Sequence, residues 1–339
     1  MNRSIGKQII IPLVLIIFII SLPAFSNLEA RRSQILNLIQ EELTEVRRLN
    51  KQNGSRNPRL LLRMAELFLE KARHLKEREN IRFLKVPAEQ RLRKNKRYFF
   101  KTSRKYFILA KKPCRYILKR FRKLSGRGSV YYILAYNSKE FQKHANAEKY
   151  FKAAIKYSRK GEEINYKSKL ALAEIFYNKK MYKRAIPLYE QSLKRINDQW
   201  LTKDTYNLAW CYFRINRHSK AIAKLRKVYS LSKSNKYIDM KIHVERDLAY
   251  FYTSAGKTSQ AVKFYKKVGA DISKNLIKVS KFLITQAKFS AAEKTLQQAL
   301  RYGKNEAEKI SIHIELLSLY EKFGNVKNSH NLDHLNIKY

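Results

Sequence analysis

The stretch YNLAWCYFRINRHSKAI, Tyr206 to Ile222, decides the fold. It sets Leu208-Ala209 and Tyr212 together and puts a small residue, Ala221, nine positions after the tyrosine. One helix running through the whole stretch gives Ala221 no reason to be small. Two antiparallel helices that cross closely do, because their backbones meet where a side chain is least bulky. The spacing predicts a helical hairpin.

A lone hairpin cannot bury its apolar face, whereas a stack of hairpins buries a continuous core. The same frame recurs on both sides of the first stretch. Leu172-Ala173, Phe176, Ala185, Tyr189 and Ser192 precede it, and Leu248-Ala249, Tyr252, Ala261, Tyr265 and Val268 follow. Looser copies read Leu134-Ala135, Ala147, Phe151 and Ala154 upstream and Val279-Ser280, Leu283, Ala292, Leu296 and Ala299 downstream. A sixth, at Leu316, Tyr320 and Gly324, fades after Ser329. The small residues recur roughly every 31 to 40 positions, bracketing a 34-residue helix-turn-helix period. This frame resembles the tetratricopeptide repeat. The resemblance implies an all-α solenoid of helix-turn-helix units, a right-handed superhelix of about five to six repeats over residues 129–335, with an amino-terminal helical extension before it.

Turn chemistry supports the frame. Four positions after the first-helix aromatic, where the chain needs a left-handed residue, stand Asn216, Gly256 and Gly324, the residue types that adopt positive φ at least cost. Lys180 and Ala287 occupy that place in two other copies and depart from the signal. Pro187 is expected in the first turn of its helix, where a missing N–H costs nothing.

Glycines and prolines are few and fall at expected breaks: Gly54 with Pro58, Pro87, Pro113, and Gly126 with Gly128. Between them the apolar period is helical. Residues 33–49 align Ile35, Leu38, Ile39, Leu43 and Val46, and RLLLRMAELFLEKARHLKERE at 59–79 follows the cap pair Asn57-Pro58. A basic helical region is thus expected over 30–125.

Residues 1–26, MNRSIGKQIIIPLVLIIFIISLPAFS, carry Arg3 and Lys7, an apolar run from Ile9 to Ile20, then Ala24 and Ser26. This is the layout of a secretory signal peptide. Cleavage after Ser26 releases a chain beginning at Asn27 into the periplasm or cell envelope; an uncleaved segment leaves an inner-membrane anchor. Cys114 and Cys211 are the only thiols, and both read as small buried apolar residues.

The net charge of +46 is the most unusual property. Between Arg82 and Arg127 stand eighteen basic residues and one acid, Glu89. Density of that kind costs self-repulsion and favours anionic partners, and Arg93, Lys94, Arg97 and Lys101 are candidates for electrostatic docking on an anionic lipid or glycan surface. The interleaved aromatics suit nucleic acid as well, a partner that export argues against. Phe99, Phe100, Tyr106 and Phe107 also fit the buried stripe of an ordinary helix.

Neither a phosphate loop, CxxC, HExxH nor GxSxG occurs, and His330 with His334 has no companions that would complete a metal site. No catalytic constellation, cofactor or metal is expected. RLLLRMAELFLEKAR at 59–73, LALAEIFYNKKMYKRAIPLYEQSLK at 170–194 and DTYNLAWCYFRINRHSKAI at 204–222 resemble exported tetratricopeptide proteins associated with adventurous gliding motility in predatory and social bacteria. That likeness implies a non-enzymatic envelope scaffold. The repeat frame turns Tyr132, Tyr136, Tyr177, Tyr206, Trp210, Phe213 and Tyr250 towards a concave groove for protein or peptide partners, where aromatic anchors suit recognition. The same rings also suit packing between repeats. A carboxylate clamp is not supported, because Leu170 and Glu174 hold its positions.

Overall fold

The computed structural model describes residues 28–54, 56–93 and 96–322. The apolar run at 9–20, Lys94, Gly324, His330 and His334 lie outside the described residues. Among the described residues the secondary structure is sixteen helices, without a strand, and no helix is long and apolar enough to cross a membrane. The chain forms two compact units divided at Pro113 and Cys114.

In the first unit, α1 (Leu28–Gln52) packs on α2 (Pro58–Lys85). Asn57 caps α2, its side-chain oxygen accepting from the Arg59 and Leu60 N–H groups at 3.0 and 3.3 Å. The buried face of α1 is Leu36, Ile39, Leu43 and Val46. Leu38, expected there, is exposed at 54%; a 3.6-residue period passes through 36, 39, 43 and 46 and leaves 38 about 120° from the centre of that face. Arg63 clamps Glu42 with two hydrogen bonds of 2.6 and 2.9 Å between the two helices.

Two short helices, α3 (Ala88–Arg93) and α4 (Lys96–Phe99), lead into α5 (Lys101–Arg120). Their brevity corrects the single-stripe expectation. Phe99 ends α4, Phe100 follows it, and Tyr106 and Phe107 sit on α5, so the four rings are not on one helix. Phe83 of α2 collects two of them, Phe99 at 5.0 Å and Phe100 at 5.8 Å between centroids. The buried Glu79 carboxylate accepts from the Thr102 and Ser103 N–H groups at 2.9 and 3.2 Å. It satisfies donors that the first turn of α5 leaves without a carbonyl partner, and its charge complements the positive end of the helix dipole.

Pro113 does not break the chain, as expected from sequence, but lies inside α5. An interior proline loses one backbone bond and strains the preceding turn, about 3 kcal/mol. Phe107, Ala110, Cys114 and Ile117, at helical spacing and each 2% exposed or less, outweigh that by burial.

The second unit is a solenoid of hairpins, with first helices α6 (Arg127–Glu140), α8 (Glu163–Asn178), α10 (Leu201–Arg214), α12 (Lys241–Ser254) and α14 (Ile272–Thr285). Each is followed by its second helix: α7 (His144–Lys156), α9 (Tyr182–Ser192), α11 (His218–Leu231), α13 (Thr258–Val268) and α15 (Phe289–Leu300). A further first helix, α16 (Glu306–Lys322), packs on α15. Ala147, Ala185, Ala221, Ala261 and Ala292 are all fully buried, as are Phe151, Tyr189, Leu225, Tyr265 and Leu296 four positions on. This answers the question Ala221 poses: each small residue lies in the interior, where its hairpin leaves no room for a longer side chain. Gly128, near the start of α6, serves a similar approach, since a Cβ there would lie 2.9 Å from the Ser158 Cβ. Pro187 is the sixth residue of α9, past the first turn where it was expected, and faces solvent, where its ring displaces no packed side chain.

Every hairpin turns through the same backbone. Gln142, Lys180, Asn216, Gly256 and Ala287 have φ of 57, 58, 60, 69 and 54°. After each, the next N–H reaches back five residues, from Lys143 to the Ser138 carbonyl at 2.8 Å, from Met181 to Phe176 at 2.8 Å and from Arg217 to Tyr212 at 2.9 Å. Lys257 bonds Tyr252 at 2.7 Å and Lys288 bonds Leu283 at 3.0 Å in the same way. This is the Schellman closure. Lys180 and Ala287 therefore adopt the geometry their residue types disfavour. Their side chains are exposed, so Lys180→Gly and Ala287→Gly relieve left-handed strain and lose no packing. Each is expected to raise stability by about 0.5–1 kcal/mol, measured as a higher denaturation midpoint; a lower midpoint would show that the turns are unstrained.

Candidate functional site: the first-helix wall

Successive first helices face one another along one edge of the solenoid, and the contacts between them are polar as well as aromatic. Glu174 of α8 takes Lys139 of α6 on one oxygen in a short ion pair, and its other oxygen lies 3.6 Å from the Lys203 ammonium of α10. Burial pushes the Glu174 carboxyl up, and Lys139 with Lys203 more than offsets this, holding it below the usual range. Burial likewise disfavours the Lys139 ammonium, and Glu174 restores it to a raised pKa. Asp204, beside Lys203, fares differently: burial raises its carboxyl to about 7, with Lys203 pulling down and Glu174 pushing up.

The next junction is built on Asp247 of α12, which is 3% exposed. One carboxylate oxygen accepts from the Tyr206 hydroxyl and from the Trp210 indole N–H at 3.0 Å, both on α10. The other accepts from the Arg246 guanidinium at 2.6 Å. Burial, then the Asp247 charge, raises the Tyr206 pKa.

Around this carboxylate the rings form a ladder. Trp210 stacks on Tyr250 at 6.3 Å and meets Phe251 edge-on at 4.9 Å, Phe213 stacks on Phe251 at 4.0 Å, and Tyr250 meets Phe282 of α14 at 4.5 Å. Of the sequence-predicted groove residues, Tyr206, Trp210, Phe213 and Tyr250 are thus gathered in one cluster. Tyr132 and Tyr136 form a separate pair at 4.8 Å, and Tyr177 contacts Tyr182 at 6.0 Å. Tyr132, Phe213 and Tyr250 are buried in packing at 6–7% exposure; Tyr136, Tyr177, Tyr206 and Trp210 are half-buried. In the first unit, Arg93, Arg97 and Lys101 are exposed on α3, α4 and α5.

Sequence reasoning missed Lys139, Lys203, Asp204 and Asp247. Their partners lie in other repeats, but position equivalence holds a signal: Glu174, Trp210 and Tyr250 occupy one place in the frame, and Asp247 shares its own with Asn207. Among the described residues no group of three or more His, Cys, Asp or Glu is placed to hold a metal.

Residues 170–199 match the tetratricopeptide repeat, as do residues 128–160 and 206–235. No curated relative matches the sequence. Among solved structures the chain is similar to BtubC (BKLC) from P. vanneervenii at 15% identity, over 80% of this chain and 90% of that one, with a TM-score of 0.42. It is similar to the apo form of RapI at 15% identity, over 89% and 95%, with a TM-score of 0.41. A Rap protein complexed with Competence and Sporulation Factor is 13% identical over 87% and 97%, with a TM-score of 0.34. The matched stretches fall on α6 with α7, α8 with α9 and α10 with α11, so these three hairpins are tetratricopeptide repeats.

Proposed function

We propose that this tetratricopeptide-repeat chain is a non-catalytic scaffold that holds peptide segments of protein partners along its first-helix wall. The half-buried row of Tyr136, Tyr177, Tyr206 and Trp210 on successive first helices supports the reading. Rings that are partly covered offer apolar area at low entropic cost, which suits anchoring. Glu174 offsets one of its two lysine partners, Lys139 and Lys203, so this part of the wall keeps a single excess positive charge in a strongly basic chain. A bound segment would therefore be recognised by apolar and hydrogen-bonding groups more than by net charge.

We place the scaffold in the periplasm or cell envelope, on the signal-peptide pattern of residues 1–26. The likeness of 59–73, 170–194 and 204–222 to exported gliding-motility proteins supports a part in motility or envelope assembly.

The test is selection from a peptide display library on the whole protein. Recovered peptides should lose about tenfold or more in affinity for Tyr177→Ala combined with Arg214→Glu, the scale of one aromatic anchor. Arg214 is exposed at the end of α10 and caps the Trp210 face at 5.2 Å. Lys220→Glu with Lys224→Glu on the second helix α11 should leave affinity unchanged. Failure to enrich any peptide, or equal loss in both variants, would sink the groove reading.

A further inference from the structure

The first unit exposes large apolar side chains inside its most basic stretch. Leu84 is 68% exposed, Leu92 88% and Tyr98 65%. Single exposed apolar residues are ordinary, but Tyr98 belongs to an aromatic cluster, and Leu84 and Leu92 adjoin along the chain two of its members, Phe83 and Arg91. Phe83, next to Leu84, touches Phe99 at 5.0 Å and carries the Arg91 guanidinium over its ring at 5.4 Å; Arg91 adjoins Leu92, and Tyr98 meets Phe99 at 5.5 Å. The ends of α2, α3 and α4 are thereby held together, with Arg93, Arg97 and Lys101 exposed on α3, α4 and the start of α5.

We propose that this cluster docks on an anionic lipid bilayer, with Leu84, Leu92 and Tyr98 entering the interface and Arg93, Arg97 and Lys101 lying at the headgroup phosphates. Charge complementarity selects an anionic partner, since one acid opposes eighteen bases between Arg82 and Arg127. The aliphatic side chains select lipid over nucleic acid. Single-stranded nucleic acid is held by a run of exposed aromatic faces, and here Phe83, Phe99 and Phe100 are spent on one another, leaving Tyr98 as one exposed ring beside two exposed leucines. Leucines take hydrocarbon and gain nothing from base stacking. Basic side chains around them keep their charges in water while their stems cover apolar surface. The surface uses residues of the first unit and the wall uses residues of the second, so the two readings are tested by different variants and fail independently.

The full-length protein carrying Leu92→Cys provides the probe. Cys114 and Cys211 are fully buried, so a polarity-sensitive thiol dye reacts at the new site. The dye should shift to the blue, and be quenched by bilayer-depth quenchers, with phosphatidylcholine vesicles containing phosphatidylglycerol and not with phosphatidylcholine alone. In the unlabelled protein, Leu84→Asp with Leu92→Asp should weaken binding to the anionic vesicles about tenfold or more. Arg93→Glu, Arg97→Glu and Lys101→Glu together should weaken it at least as much. Residues 9–20 are the same in every arm and cancel in these differences. Equal binding to both vesicle types, a dye that stays in water, or leucine variants that bind as the parent would overturn the proposal. Single-stranded DNA binding that is lost in the charge variant and untouched in the leucine variant, without a dye shift on vesicles, would assign the surface to nucleic acid instead.

Discussion

Asp247→Ala is expected to lower the stability of the repeat array by about 3–5 kcal/mol, the cost of removing one partner from a buried, charged hydrogen-bond set. The substitution strands the Trp210 indole N–H and the Tyr206 hydroxyl between α10 and α12, and leaves Arg246 without its 2.6 Å acceptor. Asp247→Asn keeps an oxygen for the two α10 donors and loses the charge opposite Arg246, whose side chain is half exposed. It should therefore cost less, about 1–2 kcal/mol. Chemical denaturation followed by tryptophan fluorescence reads the junction directly, because Trp210 sits in it. Equal costs for Ala and Asn would mean that the carboxylate charge, and not hydrogen-bond satisfaction, holds the two repeats together.

The second large effect is a pH dependence centred on Asp204. Burial raises its folded-state pKa from 3.8 to about 7. Between those values the folded chain keeps a proton that the unfolded chain releases, so this group's contribution to stability falls as pH rises, by about 1.4 kcal/mol per unit. The loss is complete above the folded-state pKa. Asp204→Asn keeps the shape of the protonated acid and cannot ionise. The variant should match the parent near pH 4 and exceed it by roughly 4 kcal/mol at pH 8. Glu148 acts with the opposite sign. Hydrogen bonds from Lys152 and Lys179 hold it down from 4.5 to about 2, so its contribution is present at neutral pH and is lost as pH falls through the window between those two values. The informative quantity is consequently the parent–variant difference, and a difference that does not change with pH would show that Asp204 is solvated in the folded chain.

The repeat frame was legible because it is written in side-chain volume: Ala185, Ala221 and Ala261 are small where hairpins close, and the structure buries all three completely. The turns were only half legible, for a physical reason. The left-handed backbone is imposed by the six-residue closure, and residues that merely tolerate it, such as Gln142, Lys180 and Ala287, leave no compositional trace. In the basic region, periodicity over 99–107 suggested one aromatic stripe, but Phe99 and Phe100 are drawn to Phe83 of a different helix. At the wall, the aromatic residues were visible one by one. Which rings would be covered was not, because Phe213 is buried by Phe251 of the next repeat, and Asp247 finds its donors there in the reverse direction.

The separations of those partners along the chain are short and nearly constant. Lys139 and Glu174 are 35 residues apart, Trp210 and Asp247 are 37, and Tyr206 and Asp247 are 41. Contacts of this range close modest loops, whose entropic cost is low and about the same at every junction. A chain emerging from its amino terminus can therefore complete each hairpin, and dock it on the one before, once a further forty or so residues have appeared. Nothing in the array waits for a distant carboxy-terminal segment. Its assembly is vectorial, advancing with the chain as it is delivered, and a stall leaves a finished stack ending in one open helical face.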